Sequence, residues 1–117
     1  MTYCLYLEVT ETLTLKVGAL GSVQLPSGHY VYTGSARRGL EARIARHLKQ
    51  RKNKRWHIDY LTSDLRIHIT GVTRHRAPEC RVNQAHGGEV VTPGLGASDC
   101  LQGCGSHLRY LGRNTGR

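Results

Sequence analysis

The sequence predicts an α+β domain in which a small antiparallel β-sheet is flanked by helices. Residues 3–9 and 66–72 alternate apolar and polar side chains with the period of a strand, and residues 29–34 are rich in β-branched and aromatic side chains. Residues 40–49 consist instead of strong helix formers. With 117 residues, of which 38% are hydrophobic, the chain has room for one hydrophobic core.

A β-hairpin is predicted near the N-terminus. Residues 13–17 and 22–25 have the composition of extended segments, and the segment 18–21, with a glycine at each end, is typical of a turn between them. We therefore expect residues 11–25 to form a hairpin inserted between the first strand and the aromatic strand that follows.

The predicted helix over residues 40–49 is amphipathic. Leu40, Ile44 and Leu48 recur at helical spacing and form an apolar stripe. Arg43 and His47 lie four positions apart, one above the other, at the border between this stripe and solvent. A side chain at such a border is both held in place and accessible.

Two shorter helices are predicted farther along the chain. The first spans residues 56–61, with Trp56 and Leu61 as core residues, and the second begins at Pro78, since proline followed by an acid favours a helix start. It is expected to end near residues 87–88, where a glycine-rich loop begins and continues to residue 99.

The C-terminal part of the chain sets the expected domain boundary. Residues 107–111 are apolar enough to form a last strand, whereas residues 112–117 have nothing to bury and should form a mobile tail. We therefore predict a single domain over residues 1–111.

Positive charge is concentrated in one window. The formal net charge is +9, and residues 37–55 carry nine basic side chains against the single acid Glu41, and therefore +8. Arg46 and Lys49 are predicted to point farther outward than Arg43. Such a block predicts a phosphate-binding face; the alternative is a charged helix end that is merely solvated. The candidates to contact nucleic acid are Arg37, Arg38, Arg46, Lys49, Arg51, Lys52, Lys54 and Arg55.

Other sequence features bear on membrane association and cellular location. No apolar run approaches the roughly 20 residues of a spanning helix, and no signal peptide is visible. Four cysteines without an export signal predict reduced thiols and a cytoplasmic location. We expect no membrane partner, because the basic helix lacks a large apolar face for an anionic membrane. A monomer is favoured.

Five short motifs occur in a characteristic order. They are Tyr3 after Met-Thr, Tyr32-Thr33-Gly34, Arg43 with His47, the Trp56–Leu61 segment Trp-His-Ile-Asp-Tyr-Leu, and the closing Ser98-Asp-Cys with Ser106-His-Leu. Together they resemble the GIY-YIG nuclease superfamily, and more narrowly its Uri-type subgroup. The chain departs from the family pattern in lacking the Gly and Ile of the first motif and in having Thr33 where Ile is usual.

The resemblance implies a metal-dependent endonuclease that hydrolyses phosphodiester bonds in DNA, with RNA as a further candidate substrate. Tyr3, with Tyr32 beside it, would activate water, although a phenol with an ordinary pKa near 10 needs a cation or metal to lower it. The forked guanidinium of Arg43 would hold phosphate, and His47 would relay a proton or orient the water. Glu79 would hold one Mg2+ or Mn2+ ion.

Each of these residues also has a structural interpretation. The tyrosines would then be half-buried sheet aromatics, Arg43 a surface arginine, His47 a core histidine and Glu79 an acid at a helix start. A non-catalytic nucleic-acid-binding module on the same fold is therefore the alternative function. A metal-dependent cleavage assay separates the two functions.

The cysteines near the C-terminus have part of a zinc-site pattern. Cys100 and Cys104 precede His107 at spacings that zinc tolerates, and the conceivable fourth ligands are Cys4, His57 and Cys80. Closed zinc sites normally show two clear ligand pairs, so we favour buried thiols over structural zinc.

Overall fold

A computed structural model describes residues 1–49, 54, 56–90, 94–95 and 106–113, and it confirms the α+β architecture. A 3-10 turn, Gly18–Leu20, joins the second and third strands. The elements of the described residues are β1 (Thr2–Val9), β2 (Leu13–Lys16), β3 (Ser22–Leu25), β4 (Gly28–Ser35), α1 (Leu40–Leu48), α2 (His57–Thr62), β5 (Ile67–His75), α3 (Glu79–Ala85) and β6 (Leu108–Gly112).

The main sheet has four antiparallel strands in the order β5-β1-β4-β6. The register of β1 and β4 places Tyr3 opposite Gly34 and Leu5 opposite Tyr32. Because successive side chains on a strand point to opposite faces, Tyr3 and Tyr32 share one face of the sheet and Cys4 lies on the other. The start of β1 and the end of β4 therefore meet at one edge, where the two strand motifs come together.

The two faces of this sheet are covered by different elements. On the first face the alternating residues of β1 join Ile44 of α1 and Leu61 of α2 in the main core. On the second face Val82 of α3 packs against Cys4 and Val31. No helix in the described part of the chain is long and apolar enough to cross a membrane.

The inserted hairpin forms as predicted. β2 and β3 pair antiparallel from Leu13 opposite Leu25 to Lys16 opposite Ser22, and they form a separate two-stranded sheet. Leu13, Val17 and Leu25 are buried in the main core. The hairpin is therefore anchored to the face that carries α1 and α2.

The buried stripe of α1 differs from the prediction. Ile44 is buried as expected, but Leu48 is 55% exposed and His47 is fully buried. Leu48 ends the helix, and the next residue, Lys49, is already extended. His47 takes the buried position of the last turn because a partner on the sheet satisfies its ring nitrogen Nε2.

The remaining boundaries agree closely with the prediction. β5 continues beyond residue 72 to His75, and α3 begins at Glu79, with Pro78 in an extended conformation just before it. Leu61 is buried, whereas Trp56 is partly buried against the core. Of the predicted tail, residues 114–117 lie outside the described residues, as does part of the predicted loop.

Candidate active site

Tyr3 and His47 form a buried polar pair between β1 and α1. The phenol oxygen of Tyr3 lies 2.6 Å from Nε2 of His47, and the two ring centroids are 5.3 Å apart. With the neutral imidazole protonated at Nδ1, the phenol donates this hydrogen bond. A side chain of the first motif and one of the helix motif are thus brought into direct contact.

Gly34 makes room for the Tyr3 ring. A Cβ atom built at residue 34 would lie 2.6 Å from both Cζ and the hydroxyl oxygen of Tyr3. Real Cβ contacts essentially never come so close, and the hydrogen-bond contact with His47 restricts how far the phenol can move away. The glycine of Tyr32-Thr33-Gly34 is therefore required by the close approach of a side chain from the neighbouring strand.

Tyr32 completes a cluster of rings with Tyr3 and His47. Its ring centroid is 6.5 Å from that of Tyr3 and 6.2 Å from that of His47. Tyr32 is 8% exposed and Tyr3 is 2% exposed, so the cluster is nearly closed to solvent. These distances are typical of aromatic packing, which holds the phenols in fixed positions.

Burial and nearby charges determine the protonation of the two phenols. Burial raises the pKa of Tyr3, with Arg43 acting to lower it and Glu79 to raise it. Burial likewise raises the pKa of Tyr32, and the charge of Arg43 opposes the shift. Both phenols therefore carry their protons at neutral pH. For Tyr3 to act as a base its proton needs an acceptor, and Nε2 of His47 is within hydrogen-bond distance.

Arg43 lies at the edge where β4 ends. Its Nη1 donates a hydrogen bond of 2.6 Å to the backbone oxygen of Ser35. Its guanidinium carbon lies 4.9 Å from the centroid of the Trp56 ring, within cation–π range. Arg43 is thus held by two contacts while it remains half-exposed.

Glu79 reaches the same edge from α3. The hydroxyl of Ser35 donates a hydrogen bond to its carboxylate, and Nδ1 of His107 is in close contact with Oε2. Burial raises the pKa of Glu79, but the bonds from His107 and Ser35 and the charge of Arg43 outweigh burial and hold the pKa below its ordinary value. The carboxylate is therefore ionised at neutral pH, and its side chain is 25% exposed.

Arg46 does not point outward as predicted. Nη1 and Nη2 donate to the two carboxylate oxygens of Asp59 at 2.8 and 2.9 Å, and the Asp59 side chain is fully buried. A buried carboxylate needs a paired cation, and this need turns Arg46 inward. Sequence reasoning missed Asp59; its signal was an acid in the first turn of α2, three residues after Trp56.

The other candidate nucleic-acid contacts occupy different positions. Arg37, Arg38, Lys49 and Lys54 are exposed. Arg51, Lys52 and Arg55 lie outside the described residues. Contact of any of these side chains with nucleic acid stays a prediction.

The fit of a divalent metal to the described side chains depends on Glu79. They contain no group of three or more His, Cys, Asp or Glu that could hold a metal ion. Mg2+ suits a site with one carboxylate, since it keeps several waters and is usually bound by one or two carboxylates plus phosphate oxygens. Glu79, ionised and partly exposed at the edge beside Arg43, fits this requirement.

The predicted zinc ligands are only partly described. Cys100 and Cys104 lie outside the described residues. Sγ of Cys80 is 3.8 Å from Nε2 of His107, whose other ring nitrogen contacts Glu79. His107, which the sequence offered as a zinc ligand, therefore lies beside the proposed metal carboxylate. The sequence around His107 gave no indication of its contact with Glu79.

Comparison with known proteins identifies a family. No curated protein and no solved structure gives a significant match to this chain. A family model described as "Domain of unknown function DUF123" matches residues 2–116, which is nearly the whole chain. The protein therefore belongs to the DUF123 family.

Proposed function

We propose that the protein is a metal-dependent endonuclease of the GIY-YIG type, Uri-like, that hydrolyses phosphodiester bonds in DNA. The observation that carries the proposal is the convergence of side chains from four separate elements at one edge of the sheet. Tyr3, Tyr32, Arg43 and His47 lie on or around the first face, and Glu79 reaches this edge from the second.

The edge combines the charges that phosphodiester hydrolysis requires. Arg43 is a permanent cation whose fork of donors suits phosphate oxygens and the extra negative charge of the transition state. Glu79 is the ionised carboxylate that would hold Mg2+ or Mn2+, and the ion would supply further charge stabilisation when bound. Both side chains are tied to Ser35, so their separation is constrained.

The Tyr3–His47 pair provides a path for a proton. A water molecule that attacks phosphorus must lose a proton, and the protonated phenol of Tyr3 can accept it only while passing its own to His47. The charge of Arg43 favours the phenolate form during this transfer. Tyr32 packs beside the pair and limits the access of bulk water.

The surroundings suit an anionic substrate. Arg37 and Arg38 are exposed just before α1, and Lys49 is exposed directly after it. They would hold the phosphate backbone, and the resulting affinity would fall steeply with salt. DNA is the proposed partner, and RNA is tested beside it. We also propose a monomer in the cytoplasm; Cys4 and Cys80 are not in disulfides.

A metal-dependent cleavage screen tests the proposal. Purified protein is incubated with single-stranded, branched and duplex DNA and with RNA, with Mg2+, Mn2+ or chelator. We expect cleavage that requires the metal and that falls about 10²–10³-fold in Arg43→Ala, as for loss of an essential charge-stabilising donor. Glu79→Gln should raise the metal concentration needed. Arg74→Ala, which removes an exposed arginine paired with Glu41, is the matched control and should cleave normally.

A non-catalytic nucleic-acid-binding module is the second candidate. The absence of the leading Gly and Ile of the first motif favours it. If the wild-type protein binds these substrates with strong salt dependence but cleaves none of them with either metal, the binding module replaces the nuclease as the function.

A further inference from the structure

Asp59 begins a series of side-chain contacts that ends at Arg43. Its side chain is fully buried, and its two oxygens accept hydrogen bonds from both terminal amino groups of Arg46. Oδ2 also accepts the backbone N–H of Trp56 at 2.9 Å. One carboxylate therefore fixes a side chain of α1 and the residue that precedes α2.

Trp56 lies between Arg46 and Arg43 in this series of contacts. The guanidinium carbon of Arg46 lies 4.5 Å from the centroid of its ring, and that of Arg43 lies 4.9 Å away. His47 approaches the same ring, with centroids 5.9 Å apart. The indole is thus bounded by three side chains of α1, and two of these belong to the proposed active site.

The charges in this cluster explain its arrangement. Two guanidinium groups near one ring repel each other, but the carboxylate of Asp59 neutralises Arg46. Arg43 makes no such hydrogen-bonded pair with a carboxylate among its described contacts: Nη1 donates to a backbone oxygen, the guanidinium lies by the indole, and Glu79 interacts with it through charge. The cluster therefore orients Arg43 without neutralising it.

We propose that Asp59, Arg46 and Trp56 form a positioning unit, the Trp56 shelf, that holds the guanidinium of Arg43 in the orientation that contacts the substrate phosphate. The inference rests on the proposed function, because the phosphate is that of the cleaved strand. Arg46 then contributes indirectly, by helping to position Arg43. The shelf acts by restricting the rotamers of Arg43, so that little side-chain freedom is lost when the phosphate binds.

A double-mutant cycle measures whether Trp56 acts through Arg43. We expect Trp56→Leu to lower kcat about ten-fold, since small misplacements of catalytic groups are costly. In the Arg43→Ala background, Trp56→Leu should lower kcat less than about two-fold, because the side chain that Trp56 positions is absent. Trp56→Phe, which keeps a ring for the guanidinium, should restore most of the activity, and the metal dependence should match the wild type in each case.

Tyr60 offers a matched control on α2. It is also a partly buried aromatic side chain packed against the core, with Nζ of Lys54 5.7 Å from its ring centroid, but it is not among the contacts of Arg43. Tyr60→Leu should reduce the free energy of unfolding as Trp56→Leu does, and leave kcat unchanged. Equal kcat losses from Trp56→Leu in both backgrounds, or an equal loss from Tyr60→Leu, would overturn the proposal.

A second measurement does not depend on turnover or on the folding of a Trp56 variant. Trp56 is the single tryptophan of the chain, so its fluorescence reports on the shelf alone. Arg43→Ala should change its emission and increase its quenching by acrylamide, whereas Arg74→Ala should not. Identical emission and quenching in wild type and Arg43→Ala would refute the shelf. Absence of cleavage by the wild type with a normal fluorescence response would refute the nuclease and leave the shelf standing.

Discussion

Tyr3 and Cys4 are neighbours on β1 and point to opposite faces of the sheet. Each contacts a histidine: Tyr3 contacts His47 in α1, and Cys4 contacts His86, which directly follows α3. The Tyr3 hydroxyl lies 2.6 Å from Nε2 of His47, and Sγ of Cys4 lies 3.3 Å from Nε2 of His86. The two pairs thus combine a buried proton donor with an imidazole. They differ in what surrounds them.

The first pair lies among charges of both signs, and the second does not. Arg43 and Glu79 both act on the pKa of Tyr3. For Cys4, burial raises the pKa of the thiol and hydroxyl hydrogen bonds from Thr33 and Thr73 only partly oppose it. A buried donor beside a histidine is therefore not in itself a reactive site; the proposed function depends on the cation and the carboxylate that lie near the first pair.

The largest expected difference between the faces is in turnover. Tyr3→Phe and His47→Gln should each lower single-turnover cleavage about 10²-fold or more, the usual loss when a general acid–base group is removed. Cys4→Ser and His86→Gln should cleave at the wild-type rate under the same conditions. Similar losses on both faces would mean that stability, and not chemistry, explains the first pair.

Substitutions at two glycines, one beside each face, test the same comparison of the two faces. Gly34→Ala places a Cβ 2.6 Å from the Tyr3 ring, so it should displace Tyr3 from His47, destabilise the fold by about 1–3 kcal/mol and reduce cleavage. Gly71→Ala on β5 meets Tyr6 of the other face at 3.9 Å, an ordinary contact, and should change the free energy of unfolding by less than about 1 kcal/mol. Urea unfolding and cleavage rates check both variants. Equal tolerance of the two substitutions would contradict the proposed close packing.

Smaller effects are expected from exposed cations near the first face. Arg37→Ala should weaken DNA binding a few-fold and reduce the slope of log K against log salt by about 1, as for loss of one phosphate contact. Cleavage at saturating DNA should be unchanged. Arg74→Ala, on an arginine paired with Glu41, should leave the salt slope as in the wild type. Equal slopes for wild type and Arg37→Ala would remove Arg37 from the proposed interface.

The smallest effect concerns stability on the second face at mildly acidic pH. Burial, together with the charges of His75 and Arg109, lowers the pKa of His86 below its ordinary 6.5. The unfolded chain therefore binds the proton first, so the contribution of His86 to the free energy of unfolding should be constant well above pH 6.5 and decrease as pH falls through this value. His86→Gln should remove this part of the decrease. An unchanged pH dependence in His86→Gln would show that other groups cause it.

The fold was largely predictable because its elements have local signals. The period of two in β1, the helix formers of α1 and the acid after Pro78 each identified an element close to its observed bounds. The spacing of Arg43 and His47 likewise identified two residues that now lie in one cluster. Such patterns depend on residues a few positions apart, which helical and strand geometry brings to one face.

Other parts of the site depend on non-local contacts and were missed or wrong. The apolar stripe of α1 favoured Leu48 for burial, but His47 is buried because Tyr3, 44 positions away, supplies its partner. Arg46 was expected outward, and Asp59 turns it inward. The contact of His107 with Glu79 had no pattern at all, since nothing in the spacing of the two residues implies it.

By itself, the sequence determined the class of fold, the order of its elements, the concentration of +8 of the charge in residues 37–55, and the residue types on which the proposed function rests. Only the tertiary structure decided which side chains from different elements come into contact. The antiparallel register of β1 and β4 places Tyr3 against Gly34, and the packing of α1 and α3 on opposite faces brings His47 and Glu79 to one edge. The physical reason is that burial and pairing act between residues far apart in the chain, where no local period can encode the partner.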